Sequence, residues 1–259
     1  MANILEITHL TIKDNKGVEL IRNVDLALKE GKVNVLVGES GSGKSLTAKA
    51  MVQQVPDMLN MYYERFCYNN NNVINVQALL GKDIGFISQD YTHSFNDHTK
   101  LGKQLIAIYR GHYKVEKSTA KQIVRQSLQS VDLNPDEVMK RYRFSISGGQ
   151  LARVQIASVL MLKPKLLIAD EPTASLDAIT GFHVMHLIKH LAEVHGVTLL
   201  LITHNLSHVL HFSDWIYVIR HGNIIDSSHI TAFTEGNITP YSLKLFNARS
   251  QLRNEGAYD

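Results

Sequence analysis

Cysteine is almost missing from this chain: Cys67 is the only one in 259 residues. A lone thiol allows neither an internal disulfide nor a cysteine metal cage. Long apolar runs are missing too. The longest, such as 197–202, fall far short of the roughly 20 residues a membrane-crossing helix needs, and no export signal is expected at the N-terminus. Charge of one sign is scarce: 27 Lys and Arg against 24 Asp and Glu leave a net +3, too little to argue for a polyanionic partner. Aromatic residues are few, and none precedes Tyr62. What remains, 44% hydrophobic and 20% charged, predicts a cytosolic globular protein with a real core, as one large domain or one domain with a subdomain.

The charge that is present is uneven. Residues 100–143 carry ten Lys or Arg against four Asp or Glu, a surplus of +6, which leaves −3 for the rest. A solvated helical face accounts for such a run; a surface near anionic lipid headgroups is the sharper alternative.

Alternating apolar and polar residues in Ile4–Ile12 and Val24–Leu28, with turns at Asn15-Lys16-Gly17 and Glu30-Gly31, predict an antiparallel sheet. Val33–Val37 then reads as a short buried strand running into a glycine loop, and Ser45–Val55 as a helix stopping before Pro56. The Asn69–Asn72 run predicts a solvated hairpin tip or a disordered loop. Residues 101–140 have helical spacing with a break near Asn134-Pro135. Leu166–Asp170 and Val197–Ile202 are further buried strands, with helices filling the gaps. Buried strands alternating with helices mean an α/β fold with a mostly parallel sheet. In such sheets ligands sit at the carboxyl ends of the strands.

Three strings carry chemistry. Gly38-Glu39-Ser40-Gly41-Ser42-Gly43-Lys44-Ser45 is a full G-x-x-x-x-G-K-[ST] match in the strand–loop–helix context such a loop requires. Its backbone N–H groups curl around phosphates, Lys44 adds a cation and the Ser45 hydroxyl is a ligand for Mg2+. Asp170, at a strand tip, fits the second Mg2+ contact, and Glu171 is placed to polarise an attacking water. Ser147-Gly148-Gly149-Gln150 lies between them and opens a helix over roughly residues 149–162.

Taken with Ile146 before it, that third string resembles the Leu-Ser-Gly-Gly-Gln signature of ATP-binding-cassette (ABC) transporter ATPases. The resemblance implies an α/β P-loop NTPase (RecA-like) core with an N-terminal antiparallel β subdomain and an inserted α-helical subdomain. It divides the chain into core at 1–90 and 157–259 and helical insert at 91–156. It implies that Leu46 and residues 38–45 bind ATP and that Ser147, Gly148, Gly149 and Gln150 face the γ-phosphate held by a second subunit. Asp177, in Ser175-Leu176-Asp177, corresponds to a loop bridging the two sites. Gln89 matches a glutamine that contacts Mg2+ and senses the membrane partner, and His204 a switch histidine on the γ-phosphate. The implied cofactors are ATP and Mg2+. The implied partners are a second ATPase subunit, better read as a different chain than as a copy, transmembrane permease subunits and a solute-binding protein, with no nucleic acid. The implied place is the cytoplasmic face of a bacterial cell membrane.

Within the family, Gln89-Asp90, Ser94-Phe95-Asn96 and Asn237–Leu245 resemble the dipeptide, oligopeptide and nickel importers. Asp97 stands where that branch has proline, and Thr239 replaces a histidine before Pro240-Tyr241. The cysteine cluster of its long members is absent, which is similar to the short subunits of nickel and metallophore–metal importers. Two departures matter. Members stack an N-terminal aromatic on adenine; here Ile12 or His9 is left to cover the base, so a reduced preference for ATP over GTP is expected. Ala152 replaces a glutamine after the signature, although Arg153 remains. The competing reading, a soluble ABC-type clamp in DNA repair or translation, expects a coiled-coil insert or a second cassette; neither is evident. His183, His186 and His190, and His204, His208 and His211, fall at helical spacing, but no acid or thiol completes either set as a metal site.

Overall fold

A computed structural model of the chain describes residues 2–73, 75–90 and 94–255, with the side chains of 207, 208 and 248–255 left out. The strands are β1 (Asn3–Asp14), β2 (Glu19–Lys29), β3 (Val33–Val37), β4 (Leu59–Tyr62), β5 (Arg65–Tyr68), β6 (Asn71–Asn72), β7 (Ile84–Ile87), β8 (Leu166–Asp170), β9 (Thr198–Thr203), β10 (Trp215–Arg220) and β11 (Asn223–His229). The helices are α1 (Lys44–Met51), α2 (Leu101–His112), α3 (Lys117–Ser130), α4 (Pro135–Val138), α5 (Gly148–Leu160), α6 (Ala178–His195), α7 (Leu206–Phe212), α8 (Ile230–Glu235) and α9 (Pro240–Glu255). They form two compact units, Met1–Ala78 with Thr198–Asp259, and Leu79–Val197.

In the first unit, β1 pairs antiparallel with β2 on one side and with β5 and β4 on the other. The alternation expected along β1 changes phase midway: Leu5 and Ile7 are buried, then Leu10 and Ile12. Register passes from Ile7 opposite Leu26 to Leu10 opposite Val24, so Thr8 and His9 together face Asp25. This β-bulge holds His9 at φ 54° and Asn23 at φ 50°. The Asn69–Asn72 run forms the tip of the β5–β6 hairpin, with Asn69 and Asn70 both at positive φ, a conformation asparagine tolerates better than most residues.

The unit's second sheet runs β11-β10-β3-β9, parallel except for β11 at the edge. β3 and β9 are buried throughout, which is why they read as continuous apolar runs. The one polar residue within β3, Asn34, donates to the carbonyls of Lys29, Lys32 and Leu199 and accepts from Lys29 N–H, so its burial is compensated.

In the second unit β7 and β8 are parallel, with Ile87 opposite Ala169. Helices α2 and α3 bury Leu101, Leu105, Ala120, Val124 and Leu128 and leave Lys100, Lys103, Arg110, Lys117 and Lys121 exposed. The basic run is therefore a solvent-facing helical surface. The break expected near Asn134 is a helix start: Asn134 Oδ1 accepts from Asp136 N–H and Pro135 occupies the first turn of α4, where proline is favoured. No helix among the described residues is long and apolar enough to cross a membrane.

Candidate nucleotide site

The loop after β3 is shaped by close packing at its first glycine. A Cβ on Gly38 would lie 2.2 Å from the Ile219 carbonyl oxygen, a main-chain atom that cannot step aside. Downstream, the Glu39 carbonyl accepts from Ser42 N–H at 3.2 Å and from Lys44 Nζ at 2.9 Å, and Lys44 Nζ also donates to Gly38 O at 3.0 Å. Lys44 is thus a buried, oriented ammonium, 5% exposed. Gly43, at φ 108°, caps α1 with no side-chain bond, and no acid sits in the first turn. The positive end of that helix is accordingly uncompensated by any carboxylate of its own first turn. Ser42 Oγ is buried with no hydrogen-bond partner, a donor of the kind that normally has an acceptor. Ser40 and Gly41 are exposed, while Ser45 and Leu46 are half-buried on α1. This concentration of donors and positive charge is an anion cradle.

The loop is braced from behind. Gly222 N–H, in the β10–β11 turn, donates to Ser42 O at 3.0 Å, and Gly222 O accepts from Arg22 N–H at 2.8 Å. Val37 lies opposite Thr203 in the parallel register, so Gly38 and His204 each sit one residue beyond a paired position. His204 is exposed at that carboxyl edge.

The second unit presents its own carboxyl edge. Ile87 opposite Ala169 sets Gln89 and Glu171 each two residues beyond a paired position. Gln89 is exposed and Asp170 is 3% exposed. Glu171 takes φ 45° immediately before Pro172. The left-handed region is costly for a residue with a Cβ, and proline disfavours helical backbone before it. Such strain is commonly held at functional sites.

Ser147-Gly148-Gly149-Gln150 opens α5 by a reciprocal capping box: Ser147 Oγ accepts from Gln150 N–H at 3.2 Å, and Gln150 Oε1 accepts from Ser147 N–H at 3.1 Å. A Cβ on Gly149 would lie 2.7 Å from Thr180 Cγ2. Asp177 caps α6, accepting from the N–H groups of Ile179 and Thr180 at 3.1 and 3.0 Å. Those donors, Thr180 first, hold its carboxyl below the usual range. Ala152 is buried, while Arg153 donates to Val131 O and faces Asp132 at 3.8 Å.

Of the two residues expected to cover the base, Ile12 is ruled out. Ile12 is fully buried and presents no surface to a base. His9 is exposed but engaged, Nδ1 against Asn23 Oδ1 at 2.5 Å and Nε2 against Glu64 at 3.0 Å. Two arrangements gave no signal in the sequence. Asp97, in place of the branch's proline, accepts from Arg143 Nε. Tyr241 lies under the Arg220 guanidinium, 4.2 Å from the ring centroid. His183, His186 and His190 are exposed, and the side chain of His208 lies outside the described residues. Among the described residues no group of three His, Cys, Asp or Glu is arranged to hold a metal ion.

Fold and loop define the class: a P-loop nucleoside triphosphatase. The sequence model of the ABC transporter family matches residues 21–174, and the chain belongs to that family, whose members bind ATP and drive transport with its hydrolysis. It is 47% identical over 253 residues to the nickel import system ATP-binding protein NikD of Staphylococcus aureus strain USA300, covering 98% of each chain. The same protein from strain MRSA252 matches equally. The structure resembles cbiO1 from Clostridium perfringens, part of the ABC transporter complex cbiONQ, with a TM-score of 0.78 over 91% of this chain and 92% of that one. At 22% identity that likeness concerns the fold alone.

Proposed function

We propose that this chain is the ATP-hydrolysing subunit of a membrane importer whose cargo is nickel, free or as a metal–metallophore complex, with an oligopeptide as the alternative. The observation that carries the reading is end-to-end similarity to a nickel import ATP-binding protein. A soluble clamp in DNA repair or translation is not favoured by these relatives.

The roles follow from the chemistry of each residue. Residues 38–46 wrap the phosphates with backbone N–H groups, and Lys44 sets its ammonium against the β- and γ-phosphates. Ser45, Gln89 and Asp170 are hydroxyl, amide and carboxylate oxygen donors, a hard set that suits Mg2+. When bound, the ion neutralises charge on the phosphate oxygens. Glu171 accepts the proton of the attacking water, and His204 holds the γ-phosphate by a hydrogen bond. The α5 N-terminus at Ser147–Gln150 faces the γ-phosphate of a partner ATPase subunit, a different chain in our reading, with Asp177 at the seam. Residues 91–156 form the helical insert and 1–90 with 157–259 the core. The subunit works at the cytoplasmic face against permease subunits fed by a solute-binding protein.

Coexpression with permease and solute-binding subunits of a nickel importer tests this. Expected are a copurifying membrane complex, Mg2+-dependent phosphate release lost in Lys44→Ala, and ATP-driven uptake of radiolabelled nickel into vesicles. Release of phosphate without any copurifying membrane protein would count against transport, and uptake of peptide instead of nickel would reassign the cargo.

A further inference from the structure

The residues just before Ser147 present an aromatic surface that has no part in the roles given above. Phe144 is 72% exposed, yet its ring is held in place. It stacks on Tyr142, with centroids 5.6 Å apart and planes 7° from parallel. The backbone beneath is a braced turn of 3-10 helix over Arg143–Ser145. Ser145 N–H and Ser145 Oγ both donate to Tyr142 O, at 3.0 and 2.8 Å, and Ser145 Oγ accepts from Tyr142 N–H at 3.0 Å. The turn is also tied to the chain before α2. Arg143, between the two rings in sequence, donates to Asp97, and Arg141 O accepts from Leu101 N–H at 2.9 Å. One exposed ring would need no explanation. Two rings stacked on a pinned turn make a flat platform, and a nucleobase stacks on such a face.

The place of the platform selects its occupant. Phe144 precedes Ser147 by three residues, at most about 11 Å of chain, and both belong to the second unit. Ser147–Gln150, in the reading above, meet the γ-phosphate of a nucleotide held by the partner subunit. A triphosphate and a ribose separate that phosphate from its own base by a length of the same order. The chain thus lacks an aromatic before Tyr62, where its own base would be covered, and displays one beside the segment that meets its partner's nucleotide.

We propose that Phe144, backed by Tyr142, stacks on the purine base of the nucleotide held by the partner ATPase subunit. The segment 142–150 then grips both ends of that nucleotide, the base by a ring and the γ-phosphate by a helix start. The proposal rests on the two-subunit ATPase reading above. Stacking uses the π face common to all bases, so this contact does not distinguish adenine from guanine.

The test compares Phe144→Ala, Phe144→Leu and Phe144→Trp with wild type, with Lys44→Ala as reference, in the full complex with partner ATPase and permease subunits. Loss of one ring–base stack is expected to raise KM about fivefold to a hundredfold in the alanine and leucine variants, for ATP and GTP alike. Tryptophan should keep KM near wild type, and kcat should stay within about twofold throughout. The isolated chain supplies the second readout. Its own phosphate loop should bind a fluorescent ATP analogue equally well in wild type and Phe144→Ala, because the ring touches only the partner's nucleotide. A merely structural Phe144 would lower the melting temperature and leave KM alone. Unchanged KM in the complex overturns the proposal, as does an equal loss of affinity in the isolated chain. Loss of the copurifying permease with KM unchanged would also overturn it, making the ring a contact for the membrane partner. If Lys44→Ala neither loses analogue binding nor slows phosphate release, the ATPase reading itself fails.

Discussion

Replacing Glu171 by glutamine separates its strained backbone from its proposed role as general base. Its backbone sits at φ 45° before Pro172, and glutamine has the same Cβ, shape and left-handed cost, so Glu171→Gln should fold and melt like wild type. What it loses is the capacity to accept a proton from water. A positioned general base contributes about two to four decades of rate, or roughly 2.7–5.4 kcal/mol of barrier. Steady-state phosphate release should therefore drop at least about a hundredfold, with ATP affinity unchanged, and an ATP-bound dimer should accumulate in size-exclusion chromatography. Two further variants isolate the strain. Left-handed backbone costs a residue with a Cβ roughly 1–2 kcal/mol, so Glu171→Gly should be more stable than Glu171→Ala by about 1 kcal/mol, after allowing for the greater unfolded-state freedom of glycine. That difference corresponds to roughly 2–4 °C in melting temperature. Glu171→Gln turning over at more than a tenth of the wild-type rate would refute the assignment of the base; alanine melting above glycine would refute the account of the strain.

Other consequences can be measured separately. Gly38→Ala drives a methyl into the Ile219 carbonyl and should cost about 3 kcal/mol of stability and abolish nucleotide binding, as read by chemical denaturation and analogue fluorescence. With no aromatic before Tyr62 and Ile12 buried, ATP and GTP should be hydrolysed within about threefold of each other, because the missing ring–base stack is worth about 1–3 kcal/mol; strong ATP selectivity would mean that another group grips the base. The His9 imidazole is raised above its usual range by the Asn23 hydrogen bond and then by the Glu64 and Asp25 carboxylates. A raised folded-state value favours folding at low pH and loses that contribution as pH rises through it. Wild type should therefore lose stability relative to His9→Gln as pH rises above the ordinary imidazole value of about 6.5, and parallel melting profiles would refute this.

Much of the architecture was legible because local chemistry and fold agree. The β3–glycine loop–α1 unit, the β8 acids and the Ser147 cap all rest on neighbours in sequence, and the alternation of buried strands with helices gave the α/β class. Boundaries were less legible where tertiary contacts decide them. Helix α1 stops at Met51, short of the expected Val55, because Gln53 turns to φ 52° and Gln54 N–H returns to Lys49 O. Residues 101–140 break before Pro135 as expected, and also at 113–116, between α2 and α3, where the spacing gave no sign of it. Strand β1 hid its bulge because apolar residues on either side each kept their own alternation. The burial of Ile12 and the stacking of Tyr241 were illegible for the same reason: one depends on which way the bulge turns a side chain, the other on an approach between residues 220 and 241, which no local pattern records.

Ser147 and Gln150 close the first turn of α5 on each other, from within one chain. A helix start that is complete before any encounter brings no folding cost to association. The proposed docking of a partner subunit on this surface should then behave as the meeting of two ordered faces, with a small heat-capacity change and an encounter rate sensitive to salt. On the proposed reading, the energy of ATP goes into closing the pair instead of ordering this helix start.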